Sequence, residues 1–446
     1  MARWTAAGLA CALVAVAGLG SAFAQSALPL ADPPAKPAKP AKPKPKPVRA
    51  TIPAPDPVPA QCVPGKTAIR PGGAMLIYSA DVDPKKLLTV AAVGDVLLHD
   101  TVQAYAAKHE QGFLPLMRPV ADLIGAADVA FANLEGPAAY NVVSNGREVR
   151  EPKTRYDKAV YSGYPMFNYH PSIARALKQT GFDVILTANN HALDRHALGA
   201  DRTLDALKQA GLNTTGTKKR DGMDAPWHTV TKVESKAGTH NIAWLGCTYG
   251  TNDVPDRFSQ VLNCYAHKDK VLAEIAALRA RPDIHAVVLA PHWGVEYQHQ
   301  PEQPQIDLAR QAIDAGATAV IGTHPHVIQP FEKYVAKDGR EGFIAYSLGN
   351  FVSNQIGLPR RSTVMLLLGL APDAKSGKLA VATVGYVPLA MIRRADPNNA
   401  HSVEAIDRSA QKEAAENRAH LMKLLPPGNL HPPTTDFWAG WNCPKQ

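Results

Sequence analysis

The stretch Ala317-Thr318-Ala319-Val320-Ile321-Gly322-Thr323-His324-Pro325-His326 decides the fold of this chain. An apolar run from Ala317 to Ile321 has the composition of a buried strand, and it stops at a glycine followed by two histidines. Neutral imidazole is the commonest protein ligand for transition metals. Two of them at i and i+2 just past a strand end reach two sides of one small site. Upstream, Ile306 to Ala315 has helical spacing, so the unit is a helix, a strand and a ligand-bearing loop.

The same unit recurs along the chain. The sequence predicts strands at Leu87 to Val93 ending in Gly94-Asp95, Val129 to Ala132 ending in Asn133-Leu134-Glu135, and Val184 to Ala188 ending in Asn189-Asn190-His191. Further strands are expected at Ile242 to Leu245 before Cys247, Ala286 to Ala290 before Pro291-His292-Trp293, and Phe343 to Ser347 before Leu348-Gly349-Asn350. Helices are predicted near Leu116 to Ile124, from Pro171 to Thr180 with Gly181 as the stop, over Ala200 to Ala210, and over Lys268 to Arg281. Strand–helix alternation of this kind implies α/β units around a mostly parallel sheet. Two β-like runs, Thr363 to Leu370 and Leu379 to Val387, are expected to add strands to a second layer, and a polar helix near Ile406 to Leu425 precedes an irregular tail.

Open α/β sheets collect their ligands at strand ends. Here the ends present the carboxylates of Asp95 and Glu135, the amide of Asn190, and the imidazoles of His292, His324 and His326. Mixed nitrogen and oxygen donors suit Zn, Mn or Fe better than Mg or Ca. The set exceeds what one tetrahedral ion needs, which points to two divalent metals able to clamp a nucleophilic water and a phosphoryl or acyl oxygen. His191, beside Asn190, is the candidate catalytic acid. Taken singly, Gly94-Asp95 reads as a turn and Asn189-Asn190-His191 as a helix cap. His99, His170 and His196 read as surface or capping residues, with His99 the nearest to function because it lies one turn past Asp95.

The ends of the chain carry a different message. Arg3, the apolar run Ala6 to Gly18 and Ala22-Phe23-Ala24 form a secretory signal peptide, residues 1–24, cut before Gln25; the run is short for a membrane anchor. Residues 25–60 are a linker of Ala-Lys-Pro and Lys-Pro repeats, a solvated spacer or a contact for an anionic envelope surface. Residues 61–446 are one domain with its core at about 87–389. Export to a periplasmic or extracellular location puts the cysteines in an oxidising compartment. The pairings Cys247–Cys264 and Cys62–Cys443 are favoured, and no C-x-x-C spacing supports zinc. The net charge is +9, but residues 1–60 contribute seven basic and two acidic side chains. The remainder is mildly basic and holds no aromatic-interleaved basic stripe, which excludes a nucleic-acid partner.

Gly94-Asp95, Asn133-Leu134-Glu135-Gly136, Ala188 through Asp194, His292-Trp293-Gly294, Gly322 through His326 and Ser347 through Phe351 together resemble the CapA family of bacterial capsule-synthesis proteins, named for poly-γ-glutamate capsule biosynthesis. That family is similar to the calcineurin-like metallophosphatases. The resemblance covers about Leu87 to Leu389. It implies a four-layer α/β/β/α sandwich, metal ligation by Asp95, Glu135, Asn190, His292, His324 and His326, and a catalytic His191. Two departures matter: Val96 and Leu97 follow Asp95 where an Asp-x-His is usual, and Asn133 and Glu135 stand where the second motif carries Asp. The resemblance implies a metal-dependent hydrolase, with an anionic envelope or capsule polymer and membrane-bound synthesis or export subunits as partners. The alternatives are a non-catalytic factor that binds an anionic polymer during export, and an α/β domain whose site is vestigial.

Overall fold

The computed structural model describes residues 63–64, 78, 86–222, 224–394, 401–409, 411–425 and 441–442. All of them belong to one unit, Ala54–Gln446. The signal peptide, the linker, Cys62, Cys443 and the tail apart from 441–442 fall outside the described residues.

Two sheets carry the fold. In the first, the strands run in the order His401–Ala405, Leu379–Arg393, Ser362–Pro372, Leu88–Val96, Val129–Leu134, Val184–Leu186 and Asn213–Thr215, with Asn350–Val352 alongside Leu88–Val96. From Leu88–Val96 to Asn213–Thr215 the pairing is parallel, and the first three strands are antiparallel. The second sheet has the order Phe331–Val335, Glu341–Ala345, Ala319–Ile321, Ala286–His292, Gly238–Thr248 and His228–Ser235. Its four central strands are parallel and both outer pairings antiparallel.

Period-two alternation explains the layers. Val90 and Ala92 point into a core shared between the sheets, whereas Ala91 and Val93 face the helices Asp100–Lys108 and Ser172–Thr180. On the second sheet Trp244 and Val288 join the shared core, while Ala243, Leu245, Val287 and Leu289 pack on Lys268–Ala280 and Gln303–Ala315. Phe131 and Trp244 stack across the middle with centroids 5.5 Å apart. The architecture is therefore the four-layer α/β/β/α sandwich.

Three local readings change. The helix expected over Leu116 to Ile124 is Leu114–Met117, a 3-10 turn Arg118–Val120, and Ala121–Gly125, because Pro119 has no N–H to continue the ladder. The runs after Ser362 extend the first sheet, Ser362–Pro372 antiparallel to Leu88–Val96 and Leu379–Arg393 antiparallel to Ser362–Pro372. The strand expected over Ile242 to Leu245 is the longer Gly238–Thr248, which forms a hairpin with His228–Ser235. By contrast Gly181 and Gly316 both end helices with positive φ, 111° and 125°, before a parallel strand and a site loop.

Candidate metal centre

The parallel strands of both sheets deliver their carboxyl ends to one place. Asp95 lies within Leu88–Val96, Glu135 follows Val129–Leu134, His292 closes Ala286–His292, and His324 and His326 follow Ala319–Ile321. Close approach at two glycines makes this possible. A Cβ on Gly94 would lie 1.8 Å from the Gly349 carbonyl oxygen, and one on Gly322 would lie 2.0 Å from that of Tyr346. His324 and His326 themselves adopt positive φ, 101° and 59°, a conformation that costs non-glycine residues energy and collects at functional sites.

All six candidate ligands meet here, and each is at most 3% exposed. Asp95 Oδ1 accepts from Asn133 Nδ2 at 2.8 Å, and its Oδ2 lies 3.1 Å from His326 Nδ1. That leaves His326 Nε2 facing Glu135 Oε1 at 3.7 Å. His292 Nε2 is 2.9 Å from Asn190 Oδ1 and 3.7 Å from Glu135 Oε1, while its Nδ1 meets Thr323 Oγ1 at 3.0 Å. The His324 ring stands 4.7 Å from that of His292 and 4.6 Å from that of Tyr249.

Two sets of donors can each enclose an ion: Asp95, Glu135 and His292, and Glu135, His324 and His326, every set with its atoms within 4.8 Å of one another. Glu135 belongs to both. Its two carboxylate oxygens are buried without a hydrogen-bond partner, and His324 Nδ1 is buried without one as well. Orphaned buried acceptors are costly, and a pair of cations would satisfy them. Burial, followed by the charges of Asp95, Glu296 and Asp194, pushes the Glu135 carboxyl well above its ordinary value. Burial, then neighbouring histidines, pushes His292 and His324 well below theirs. These imidazoles are thus neutral, the form that ligates a metal. The donor set fits divalent ions.

His191 lies beside this cluster. Its Nδ1 is 2.7 Å from Asp194 Oδ2, and its ring meets Phe167 edge-on with centroids 4.7 Å apart. The buried Arg195 ties the neighbouring loops down by donating to the carbonyls of Val142, Val160 and Met166. Val96 and Leu97 are buried among apolar side chains. His99 Nδ1 is held near Leu97 O at 3.2 Å, and burial lowers its pKa to about 4. His170 accepts from Ser172 N at the start of Ser172–Thr180, a capping role, and His196 begins His196–Gln209.

Several site residues escape a reading of motifs. Tyr249 and Asn252 lie in the loop that the Cys247–Cys264 disulfide closes. Asn252 Oδ1 accepts from Asn190 Nδ2 at 3.2 Å, and its Nδ2 approaches His191 Nδ1 at 3.4 Å. Strand-end position was a usable signal for Tyr249, which follows Gly238–Thr248 directly. Asn133, Thr323 and Asp194 sat inside the quoted motifs with no role of their own.

Residues 89–355 match the family model described as bacterial capsule synthesis protein PGA_cap. The chain is 29% identical over 272 residues to the capsule biosynthesis protein CapA of Bacillus anthracis, covering 60% of each chain. It is 28% identical over 284 residues to the PGA biosynthesis protein CapA of Bacillus subtilis, covering 62% of this chain and 65% of that one. It therefore spans less than two thirds of the length of either relative. A solved phosphatase from Mycoplasma pneumoniae overlaps 68% of this chain and 93% of its own at 12% identity and a TM-score of 0.37, an overlap too loose to bear on chemistry. The match over most of the sheet framework and every site segment leads to one conclusion: the chain belongs to the bacterial capsule synthesis protein PGA_cap family.

Proposed function

We propose that the chain is an exported hydrolase with a site for two divalent ions, Mn, Fe or Zn, acting on a phosphoester, amide or ester of an envelope polymer in capsule or poly-γ-glutamate biosynthesis. The observation that carries this reading is Glu135, buried, shared by two donor sets and unpartnered at both oxygens. In this reading Asp95, Asn190 and His292 would hold one ion and His324 and His326 the other, with Glu135 available to both. Bound ions of this kind supply an activated water and draw charge from the scissile group.

The chain's own residues do the rest. Asp194 orients the His191 ring through Nδ1, which leaves Nε2 to deliver a proton to the departing atom. Asn252 steadies Asn190 by accepting from its amide. Asn133 fixes Asp95, and Thr323 fixes His292, as outer partners do for ligands. The Cys247–Cys264 disulfide supports export, since such bonds persist in oxidising compartments. Among the described residues no helix is long and apolar enough to cross a membrane. The partners proposed are an anionic envelope polymer and membrane-bound subunits of its synthesis or export machinery.

The test is turnover of a phosphodiester and of a γ-glutamyl peptide by the purified chain and by His324→Ala. Loss of turnover in a variant that still unfolds cooperatively in urea supports the hydrolase. Equal turnover in both proteins rejects this site, and absence of turnover in the parent favours a polymer-binding factor.

A further inference from the structure

A cationic feature sits beside the centre and takes no part in holding it. Arg360 lies in the short helix Leu358–Arg361, with its guanidinium carbon 3.9 Å from the centroid of the Tyr297 ring. That ring stands 6.0 Å from the ring of His326. Gln355 Nε2 donates to the Tyr297 hydroxyl at 3.4 Å, and Gln355 Oε1 accepts from Asn350 Nδ2 at 3.0 Å. The same Asn350 amide reaches the carbonyls of His326 at 3.3 Å and Arg360 at 3.0 Å. Asn350 is fully buried and its backbone pairs with Asp95. One side chain therefore holds Arg360 in register with the site.

Arg360 nevertheless spends little of its donor capacity. Its NH1 donates to the Ile356 carbonyl at 3.2 Å, and among the described residues no carboxylate forms an ion pair with it. The rim acid Glu296 pairs with the Tyr297 hydroxyl and lies 4.0 Å from His326 Nε2, and it makes no ion pair with Arg360 among the described residues. Arg361 follows in sequence. Arg393 stands close by, donating to the carbonyls of Asn354 and Gln355, and burial followed by the nearness of Arg361 pushes its pKa down. The segment 353–361 thus carries positive charge without a described counter-ion. A guanidinium already over a ring, with one of its N–H donors committed to the Ile356 carbonyl, keeps others for the planar fork of a carboxylate. Tyr297, 40% exposed, and Ile356, 75% exposed, add apolar surface for the aliphatic part of such a group.

We propose that Arg360, stacked on Tyr297, is a carboxylate subsite that takes an acidic side group of the substrate polymer next to the scissile bond. Tyr297 stands between Arg360 and His326, 3.9 Å from the guanidinium and 6.0 Å from the imidazole, so the recognised carboxylate belongs to a unit next to the reacting group. The proposal deepens the hydrolase reading and rests on it for the word substrate, but its test reads binding and needs no turnover.

The test uses the purified full chain and a fluorescein-labelled γ-glutamate oligomer, compared by anisotropy with the same oligomer whose free carboxyls are methyl esters. The parent is expected to prefer the acid about tenfold or more, the effect of one charge-assisted bidentate contact. Arg360→Gln is expected to abolish that preference, and Arg360→Lys, which keeps charge without the planar fork, to restore only part of it. His324→Ala retains the preference while losing turnover, which separates failure of the subsite from failure of the hydrolase. A parent without the preference, an Arg360→Gln protein that keeps it, or displacement by a phosphodiester but not by a free carboxylate would overturn the proposal.

Discussion

Replacing Glu135 with Gln should change stability in opposite directions with and without metal. Glu135 is fully buried, and neither carboxylate oxygen has a hydrogen-bond partner. In metal-free protein at neutral pH this side chain is therefore an unpaired buried charge or a proton held at a cost. Such a group costs about 1–3 kcal/mol when merely unsatisfied and more when ionised, so metal-free Glu135→Gln should be more stable than the metal-free parent by about that amount. With metal the order reverses. An ion at a hundredfold excess over its Kd stabilises the parent by about 2.7 kcal/mol per site. The variant loses a donor shared by both sets and forfeits most of that gain. The assay is urea unfolding followed by tryptophan fluorescence, with Trp244 and Trp293 fully buried as reporters. A Glu135→Gln protein destabilised equally with and without chelator would refute the reasoning and make Glu135 a structural residue.

The remaining predictions concern the surrounding shell. Asp194→Asn keeps the shape beside Phe167 N but weakens the hold on His191, so turnover should fall about a hundredfold or more with little change in the urea midpoint; unchanged turnover removes His191 from the chemistry. Gly322→Ala puts a Cβ 2.0 Å from Tyr346 O and 2.7 Å from Trp293 Nε1, so it should cost about 1–3 kcal/mol or more and displace the His324 loop; a variant with parental stability and metal content contradicts the packing. Burial holds His99 and His170 at about 4 in the folded state, against an ordinary 6.5, so the unfolded chain takes up protons first. Metal-free Glu135→Gln should accordingly lose stability as pH falls from 6.5 toward 4. In the metal-free parent Glu135 acts the other way, because its raised value means stability is lost as pH rises above 4.5; urea midpoints at several pH values would show both slopes or reject them.

Much of this was legible because parallel strands announce themselves. Val129–Leu134 and Ala286–His292 are buried along their whole length, and each opens as an apolar run that stops at a polar residue, Asn133 in one and His292 in the other. That pattern singles out Asp95, Glu135, Asn190, His292, His324 and His326 as candidates, and the fold brings them together. The antiparallel edges were harder. His228–Ser235 and Phe331–Val335 are only partly buried, and their mixed polarity resembles loop. Pro119 broke a helix whose apolar spacing looked continuous. Residues brought in by tertiary contacts gave no local signal. Asn252 approaches His191 across 61 positions, and Arg360 reaches Tyr297 from the short helix Leu358–Arg361. The strained backbone at His324 and His326 is invisible in composition, since nothing about a histidine announces positive φ.

The central claim is that Glu135 joins two ion sites at the meeting of the two sheets. Its most direct test is elemental analysis of the full chain purified without chelator, with phosphodiester and γ-glutamyl peptide hydrolysis measured before and after chelation. The account predicts close to two equivalents of Mn, Fe or Zn per chain, and turnover that chelation removes and the ion restores. A folded chain with neither bound metal nor turnover, unchanged on adding these ions, would contradict it.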